Sequence, residues 1–122
     1  MKILLVDDER ISSLSASRLL EKQGHEVITA INGFQALEKL HESDFDCILM
    51  DLQMPEMDGL EATAKIRDHS IFGEKSQTPI IAMTGHSYED TRDDLDRAGI
   101  DHYVAKPFDL RTLIQVIEDA TR

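Results

Sequence analysis

Cys47-Ile48-Leu49-Met50-Asp51-Leu52-Gln53-Met54-Pro55-Glu56-Met57-Asp58-Gly59 is the stretch that decides the fold. A short apolar run ends in a carboxylate, and Pro55 then bars a helix until Asp58 and Gly59 open a new segment. Brief apolar runs bounded by turn signals read as strands buried on both faces. Asp51 therefore falls at the carboxyl end of such a strand, where open α/β sheets place their ligands. A carboxylate in that position can hold a metal, act as a nucleophile, or do both.

Working outward, the same pattern recurs on either side. Ile3-Leu4-Leu5-Val6 is a second buried strand and ends in Asp7, Asp8 and Glu9. A helix follows to about Gln23, with Ile11, Leu14, Ala16, Leu19 and Leu20 as its expected apolar face and Gly24 as its stop. Val27-Ile28-Thr29-Ala30 makes a short strand, and Asn32-Gly33 turns the chain into a helix carrying Phe34, Ala36, Leu37 and Leu40. The central strand runs from about Asp46 to Met50. Asp58, with Glu61 three residues on, is expected to cap a helix reaching about His69. Residues 70–78 read as a polar loop. Pro79 leads into the strand Ile80-Ile81-Ala82-Met83, followed by Thr84. Ser87 and Asp90 start an unusually polar helix with Tyr88, Leu95 and Ala98 as its apolar positions and Gly99 closing it. Asp101 to Ala105 forms the last strand, ended by Lys106-Pro107, and Asp109 caps an amphipathic helix marked by Leu110, Leu113, Ile114 and Ile117. Val116 lies about 100° or more off that stripe and is a candidate partner contact.

Strands alternating with helices imply a parallel sheet covered on both faces, in one domain spanning 1–122. No repeat, low-complexity tract or linker interrupts it. Thirteen basic residues against 24 acidic ones give a net charge of -11, a field that repels phosphodiester backbones and anionic lipid. Neither nucleic acid nor membrane is expected as a partner, and no apolar run approaches the roughly 20 residues that span a bilayer. The start of the chain lacks a signal-peptide core, and the single Cys47 reads as a small core residue. A reducing, cytoplasmic setting follows.

The polar residues at the strand ends carry the chemistry. Asp7 and Asp8 follow the first strand, Asp51 the third, Thr84 the fourth and Lys106 the fifth. In a parallel sheet these ends share one edge. If the first and third strands are neighbours, three carboxylates crowd together, which raises at least one carboxylate pKa unless a cation intervenes. Mg²⁺ suits such a site because it takes one or two carboxylates plus waters and phosphate oxygens. Lys106 offers an ammonium for an anion and Thr84 a hydroxyl donor. Taken singly, the acidic run reads as a charged first helical turn and Thr84 as a structural strand end. Their joint placement in order is what points to a site.

Over its whole length the sequence resembles the receiver domain of two-component response regulators. The matching stretches are Leu5-Val6-Asp7-Asp8-Glu9, Ile48 to Gly59, Ile80-Ile81-Ala82-Met83-Thr84-Gly85 and Tyr103-Val104-Ala105-Lys106-Pro107. The resemblance implies a flavodoxin-like (βα)5 fold with strand order 2-1-3-4-5. It implies that Asp51 accepts a phosphoryl group from a histidine kinase or histidine phosphotransfer domain. It further implies that Asp8, the Asp51 carboxylate and the backbone carbonyl of Gln53 bind Mg²⁺ directly, with Asp7 acting mainly through a coordinated water. Lys106 would pair with the acyl phosphate after a cis Lys106-Pro107 bond, and Thr84 with Tyr103 would form the switch. The output surface would be the helix near residues 88–98, the last strand and the last helix, docking a downstream protein or a second receiver. The domain would be a regulatory phosphoacceptor rather than an enzyme acting on other substrates. Met50 to Gly59 and Thr78 to Thr84 are especially similar to receivers attached to hybrid histidine kinases. A free-standing receiver and a piece of such a kinase both fit, although the 122 residues show no kinase core, ATP-binding segment or output domain. Gln53 and His86 occupy the positions two after the acceptor and two after the switch Thr, where the family tunes phosphate lifetime.

Three other readings are weaker. An aspartyl phosphatase of the haloacid dehalogenase kind generally carries a second Asp two residues after its nucleophile, where this chain has Gln53, and it needs a cap domain. A flavin-binding flavodoxin needs a phosphate-cradling loop after the first strand, where Asp7-Asp8-Glu9 would repel the phosphate. A degenerate receiver serving only for docking would have no use for the intact acidic cluster with Thr84 and Lys106.

Overall fold

The computed structural model describes residues Met1–Arg122. Its strands are β1 (Lys2–Val6), β2 (Glu26–Ala30), β3 (Cys47–Asp51), β4 (Ile80–Thr84) and β5 (His102–Ala105). All pair in parallel, in the order β2-β1-β3-β4-β5 that the resemblance implies. The main helices are α1 (Arg10–Lys22), α2 (Gly33–Glu42), α3 (Gly59–Ile66), α4 (Tyr88–Ala98) and α5 (Leu110–Thr121).

Successive strand side chains point to opposite faces of a sheet, and the apolar runs divide accordingly. Leu4, Val6, Ile48, Met50, Ile80 and Ala82 pack against Ala36 and Leu40 of α2, Ala62 and Ile66 of α3, and Leu95 of α4. Ile3, Leu5, Cys47, Leu49, Ile81, Met83 and Val104 pack against Ala16 and Leu20 of α1 and Leu113 and Ile117 of α5. β3 and β4 are buried along their whole length because they are central and covered twice.

The caps read from the sequence form. Asp58 accepts from the Glu61 N–H at 2.9 Å, Ser87 from Asp90 at 3.3 Å and Asp109 from Thr112 at 2.7 Å. Asn32 Oδ1 caps α2 by accepting the Gln35 N–H, and Gln35 Oε1 in turn accepts the Ile31 N–H. Gly99 closes α4 in the left-handed region with φ 84°, where a β-carbon would be strained.

Three expectations need correction. Residues 70–78 are not an open loop: His69–Phe72 makes one α-turn and Gly73–Gln77 a 3-10 turn. Phe72 is buried and stacks on His41, while Lys75 Nζ reaches the Leu40 carbonyl at 2.6 Å and so caps the end of α2. The buried face of α1 is Ser13, Ala16, Ser17 and Leu20, leaving Ile11, Leu14 and Leu19 exposed. Small residues bring α1 close to the sheet, and a periodicity count of large apolar residues overlooks them. Val116 is half-buried against the core cluster under α5, so it is not a free contact.

Candidate functional site

The register sets the site. Val6 pairs with Met50, so Asp7 and Asp51, each one residue farther, leave adjacent strands side by side. Met83 pairs with Asp51 and Thr84 with Ala105, which brings Thr84 and then Lys106 to the same edge. Carboxylate oxygens of Asp7, Asp8 and Asp51 lie within 4.8 Å of one another. Asp7 and Asp51 are 3% and 5% exposed, whereas Asp8 faces solvent.

Lys106 Nζ lies 3.3 Å from Asp7 Oδ2 and 3.3 Å from Asp51 Oδ2, so two buried carboxyls share one ammonium. The Lys106-Pro107 bond is cis. Backbone amides support the acids from behind: Glu9 N–H donates to Asp7 Oδ1 at 2.9 Å and Gln53 N–H to Asp51 Oδ1 at 3.1 Å. Burial pushes the Asp51 carboxyl up to about 6, against the opposing pull of the Gln53 amide and Lys106, and neighbouring Asp7 adds to the rise. Burial alone would lower Lys106, yet Asp51 and Asp7 outweigh it and its pKa rises. This is a site short of positive charge. Its donors are hard oxygens, spaced closely enough for one divalent cation to bridge.

The rim is closely packed. A β-carbon at Gly59 would overlap the Asp51 carbonyl oxygen, so only glycine lets α3 start this near the Asp51 loop. Met54 and Met57 are buried beneath that loop and help to shape it. Thr84 is 1% exposed and its Oγ1 accepts the His86 N–H at 3.1 Å. The Gln53 carboxamide and the His86 imidazole touch across the mouth. Tyr103 is half-buried, donates its hydroxyl to the His86 carbonyl at 2.7 Å and meets the Tyr88 ring edge-on.

Of the residues singled out from the sequence, Asp7, Asp8, Asp51, Gln53, Thr84 and Lys106 lie on this edge or on the loops that frame it, whereas Tyr103 lies within β5 opposite Ala82 and reaches the rim through its hydroxyl on His86. The sequence reading missed a groove beside it. Ser12, Ser15, Ala16, Leu19, Lys106, Pro107 and Phe108 line a cavity of about 400 Å³ between α1 and the loop after β5. Ile11, at 84% exposure, and Leu14 add apolar surface on the same helix. The signal was present as more large apolar residues in α1 than one buried face could hold.

A parallel sheet in this order, with an acid cluster, a hydroxyl and a lysine at successive strand ends, gathers at one edge the groups that could hold a divalent cation and an anion together. Known proteins share this sequence pattern and fold. The family model for the response regulator receiver domain matches residues 3–118. The sensor protein GacS of Pseudomonas syringae pv. syringae is 38% identical over 116 residues, covering 95% of this chain. The chain spans only 13% of the length of that relative. The chemotaxis protein CheY4 of Vibrio cholerae superposes with a TM-score of 0.89 at 31% identity, covering 98% of this chain and 97% of CheY4. The receiver domain of the sensor histidine kinase PA1611 from Pseudomonas aeruginosa PAO1, solved with a magnesium ion in its active site cleft, superposes at 0.88 with 31% identity, covering 98% and 96% of the two chains. This chain belongs to the response regulator receiver domain family, the regulatory switches of two-component signal transduction. No helix in it is long and apolar enough to cross a membrane.

Proposed function

We propose that residues 1–122 form one receiver domain in which Asp51 is the phosphoacceptor. The observation that carries this reading is the buried pair Asp7 and Asp51 sharing the Lys106 ammonium at 3.3 Å each, which leaves the edge ready for more positive charge. Asp8, the Asp51 carboxylate and the Gln53 carbonyl would hold Mg²⁺, with Asp7 supporting it through water. An ion held by these groups would supply the positive charge that neutralises phosphoryl oxygens as a carboxylate approaches them.

The phosphodonor is a phosphohistidine of a histidine kinase or phosphotransfer domain. Its N–P bond breaks with the electron pair remaining on the imidazole nitrogen, and an O–P bond forms to an ionised Asp51 oxygen. No proton leaves Asp51 in that step. Lys106 balances the added oxygens, and the Thr84 hydroxyl, which donates to no protein group, is free to donate to one of them. The donor approaches over the apolar groove of Leu19, Pro107 and Phe108, which opens beside Lys106. Thr84 and Tyr103 then pass the change to α4, β5 and α5, where a downstream protein or second receiver docks. The role is regulatory, with catalysis limited to the domain's own phosphorylation and dephosphorylation, and its setting is the cytoplasm.

Acetyl phosphate and Mg²⁺ followed by intact mass test the assignment. The parent chain gains one phosphate, the gain requires Mg²⁺, and Asp51→Asn does not acquire it. Labelling of Asp51→Asn at the parent's rate would move the acceptor elsewhere.

A further inference from the structure

The two ends of α4 are held in very different ways. At its amino end, Gly85, His86, Ser87, Tyr88, Glu89 and Asp90 are all exposed; the Ser87 cap is 3.3 Å long, and the other ties run to the switch residues, the His86 N–H donating to Thr84 Oγ1 at 3.1 Å and the Tyr103 hydroxyl to the His86 carbonyl at 2.7 Å. At its carboxyl end, Leu95 and Ile100 are buried at 2% and 3% exposure, and the Ile100 N–H closes on the Leu95 carbonyl at 2.9 Å. Beyond the helix, Arg67 Nε donates to the Gly99 carbonyl at 3.0 Å.

Arg67 does more than touch Gly99. Its Nη1 donates to the carbonyls of Ser76 and Thr78, both at 2.7 Å, on the segment that leads into β4. That segment is itself seated on α2 by Lys75 and by the Phe72 stack on His41. One guanidinium therefore fixes the carboxyl end of α4 to the chain entering β4. Thr84 stands at the other end of the same strand, bonded to the segment that opens the helix. Charge-assisted hydrogen bonds to backbone are among the stronger ones a protein makes, and sites with few buried contacts open first.

We infer that α4 acts as a lever hinged at its carboxyl end, with Arg67 as the pin. This deepens the switch reading given above and rests on it for what drives the motion. A pull on the loop after Thr84 swings the Ser87–Thr91 end, while Gly99 stays in place against Arg67. The surface that changes is the first half of α4 and the neighbouring Tyr103, and the second half serves as a fixed reference.

Two measurements test the lever. In the ligand-free protein, Arg67→Gln is compared with the parent by amide exchange. Exchange at Gly99 and Ile100, whose amides bond Asp96 and Leu95, is expected to quicken by about tenfold or more, as loss of a hydrogen bond to a charged group predicts, while residues 87–91 keep their rates. Arg67→Lys, which retains a donor, is expected to fall between and serves if Arg67→Gln does not fold. Unchanged rates at Gly99 and Ile100, or equal quickening along all of α4, overturns the pin. For the motion itself, spin labels are placed at Glu42→Cys with either Glu89→Cys or Asp96→Cys. Cys47 is fully buried and its thiol is pushed up to about 12, so it takes no label. With Mg²⁺ and beryllofluoride the distance to position 89 is expected to shift and that to position 96 to hold. Equal shifts at both positions mean a rigid translation and overturn the lever. A protein that takes up no beryllofluoride fails the phosphoacceptor reading instead, and the exchange comparison then decides the pin alone.

Discussion

The two edges of the sheet use charge in opposite ways. At the carboxyl edge, the carboxyls of Asp7 and Asp51 are buried together around one lysine, and burial, with Asp7 adding to it, raises the Asp51 pKa to about 6 against the pull of that lysine. At the far edge, half-buried cations meet backbone carbonyls. Arg67 bonds Gly99, Ser76 and Thr78, and Lys75 bonds the last carbonyls of α2. Like charges in low dielectric oppose folding, whereas cations on orphan carbonyls support it. One end of the sheet therefore carries stability and the other keeps an unbalanced charge for a ligand to satisfy. The contrast predicts stability changes of opposite sign.

The largest effect is expected at the far edge. Arg67→Ala leaves three carbonyls without their donor and removes a stem that packs on Gly99. Bonds to charged groups contribute about 1.5–3 kcal/mol each but do not add, so a loss of about 2–4 kcal/mol is expected in urea unfolding. A loss under about 0.5 kcal/mol, the level of an ordinary surface change, would erase the contrast.

At the carboxyl edge the sign reverses. In metal-free protein Asp51→Asn removes a buried negative charge and is expected to stabilise the fold by about 1–3 kcal/mol near pH 7.5. The pH dependence follows from the raised pKa. A carboxyl whose folded value is about 6 against 3.8 holds its proton more tightly when folded. Its contribution favours folding below 3.8 and is lost as pH rises through about 6. The advantage of Asp51→Asn should therefore fade on acidification and vanish near pH 4, as urea midpoints in EDTA would show. An advantage independent of pH would mean that packing, not charge, is responsible.

This contrast also explains what could be read beforehand. Asp7, Asp8, Asp51, Thr84 and Lys106 were legible because each sits at the end of an apolar run, and a parallel sheet brings such ends to one edge. The sheet order came with the resemblance, whereas periodicity alone gave the strands. Arg67 and Lys75 were not legible. Their partners are main-chain carbonyls, which every residue carries and no sequence pattern marks. For the same reason residues 70–78 looked like a polar loop when Phe72, Lys75 and the Arg67 contacts fasten them. The face of α1 was misread because Ser13 and Ser17 let it approach the sheet, and small polar residues do not announce burial.

A smaller loss is expected from Lys75→Met, which keeps the stem and removes the ammonium from the carbonyls of Leu40, His41 and Ser43. A cation at a helix carboxyl terminus contributes up to about 2 kcal/mol when partly buried. Lys75 also pairs at 3.7 Å with exposed Asp44, a contact that adds little. A loss of about 1–2 kcal/mol in thermal or urea unfolding would agree. No loss would mean that Phe72 alone holds the segment.

The smallest expected effect inverts the carboxyl edge with a ligand instead of a substitution. A cation that binds only the folded chain stabilises it by RT ln(1 + [L]/Kd), or about 1.4 kcal/mol at tenfold excess over Kd. Mg²⁺ should therefore raise the unfolding midpoint of the parent and leave Arg67→Ala as far below it as before, because the two edges do not share partners. Asp8→Ala should lose most of the response and Asp7→Ala part of it, as a direct ligand and a water-mediated one would. Asp8 is the exposed member of the cluster, so its removal relieves less repulsion and the metal-free stabilities of the two variants should differ, with Asp7→Ala the higher. A Mg²⁺ response that survives both substitutions would place the ion elsewhere. The unbalanced charge at Asp51 would then belong to the protein alone.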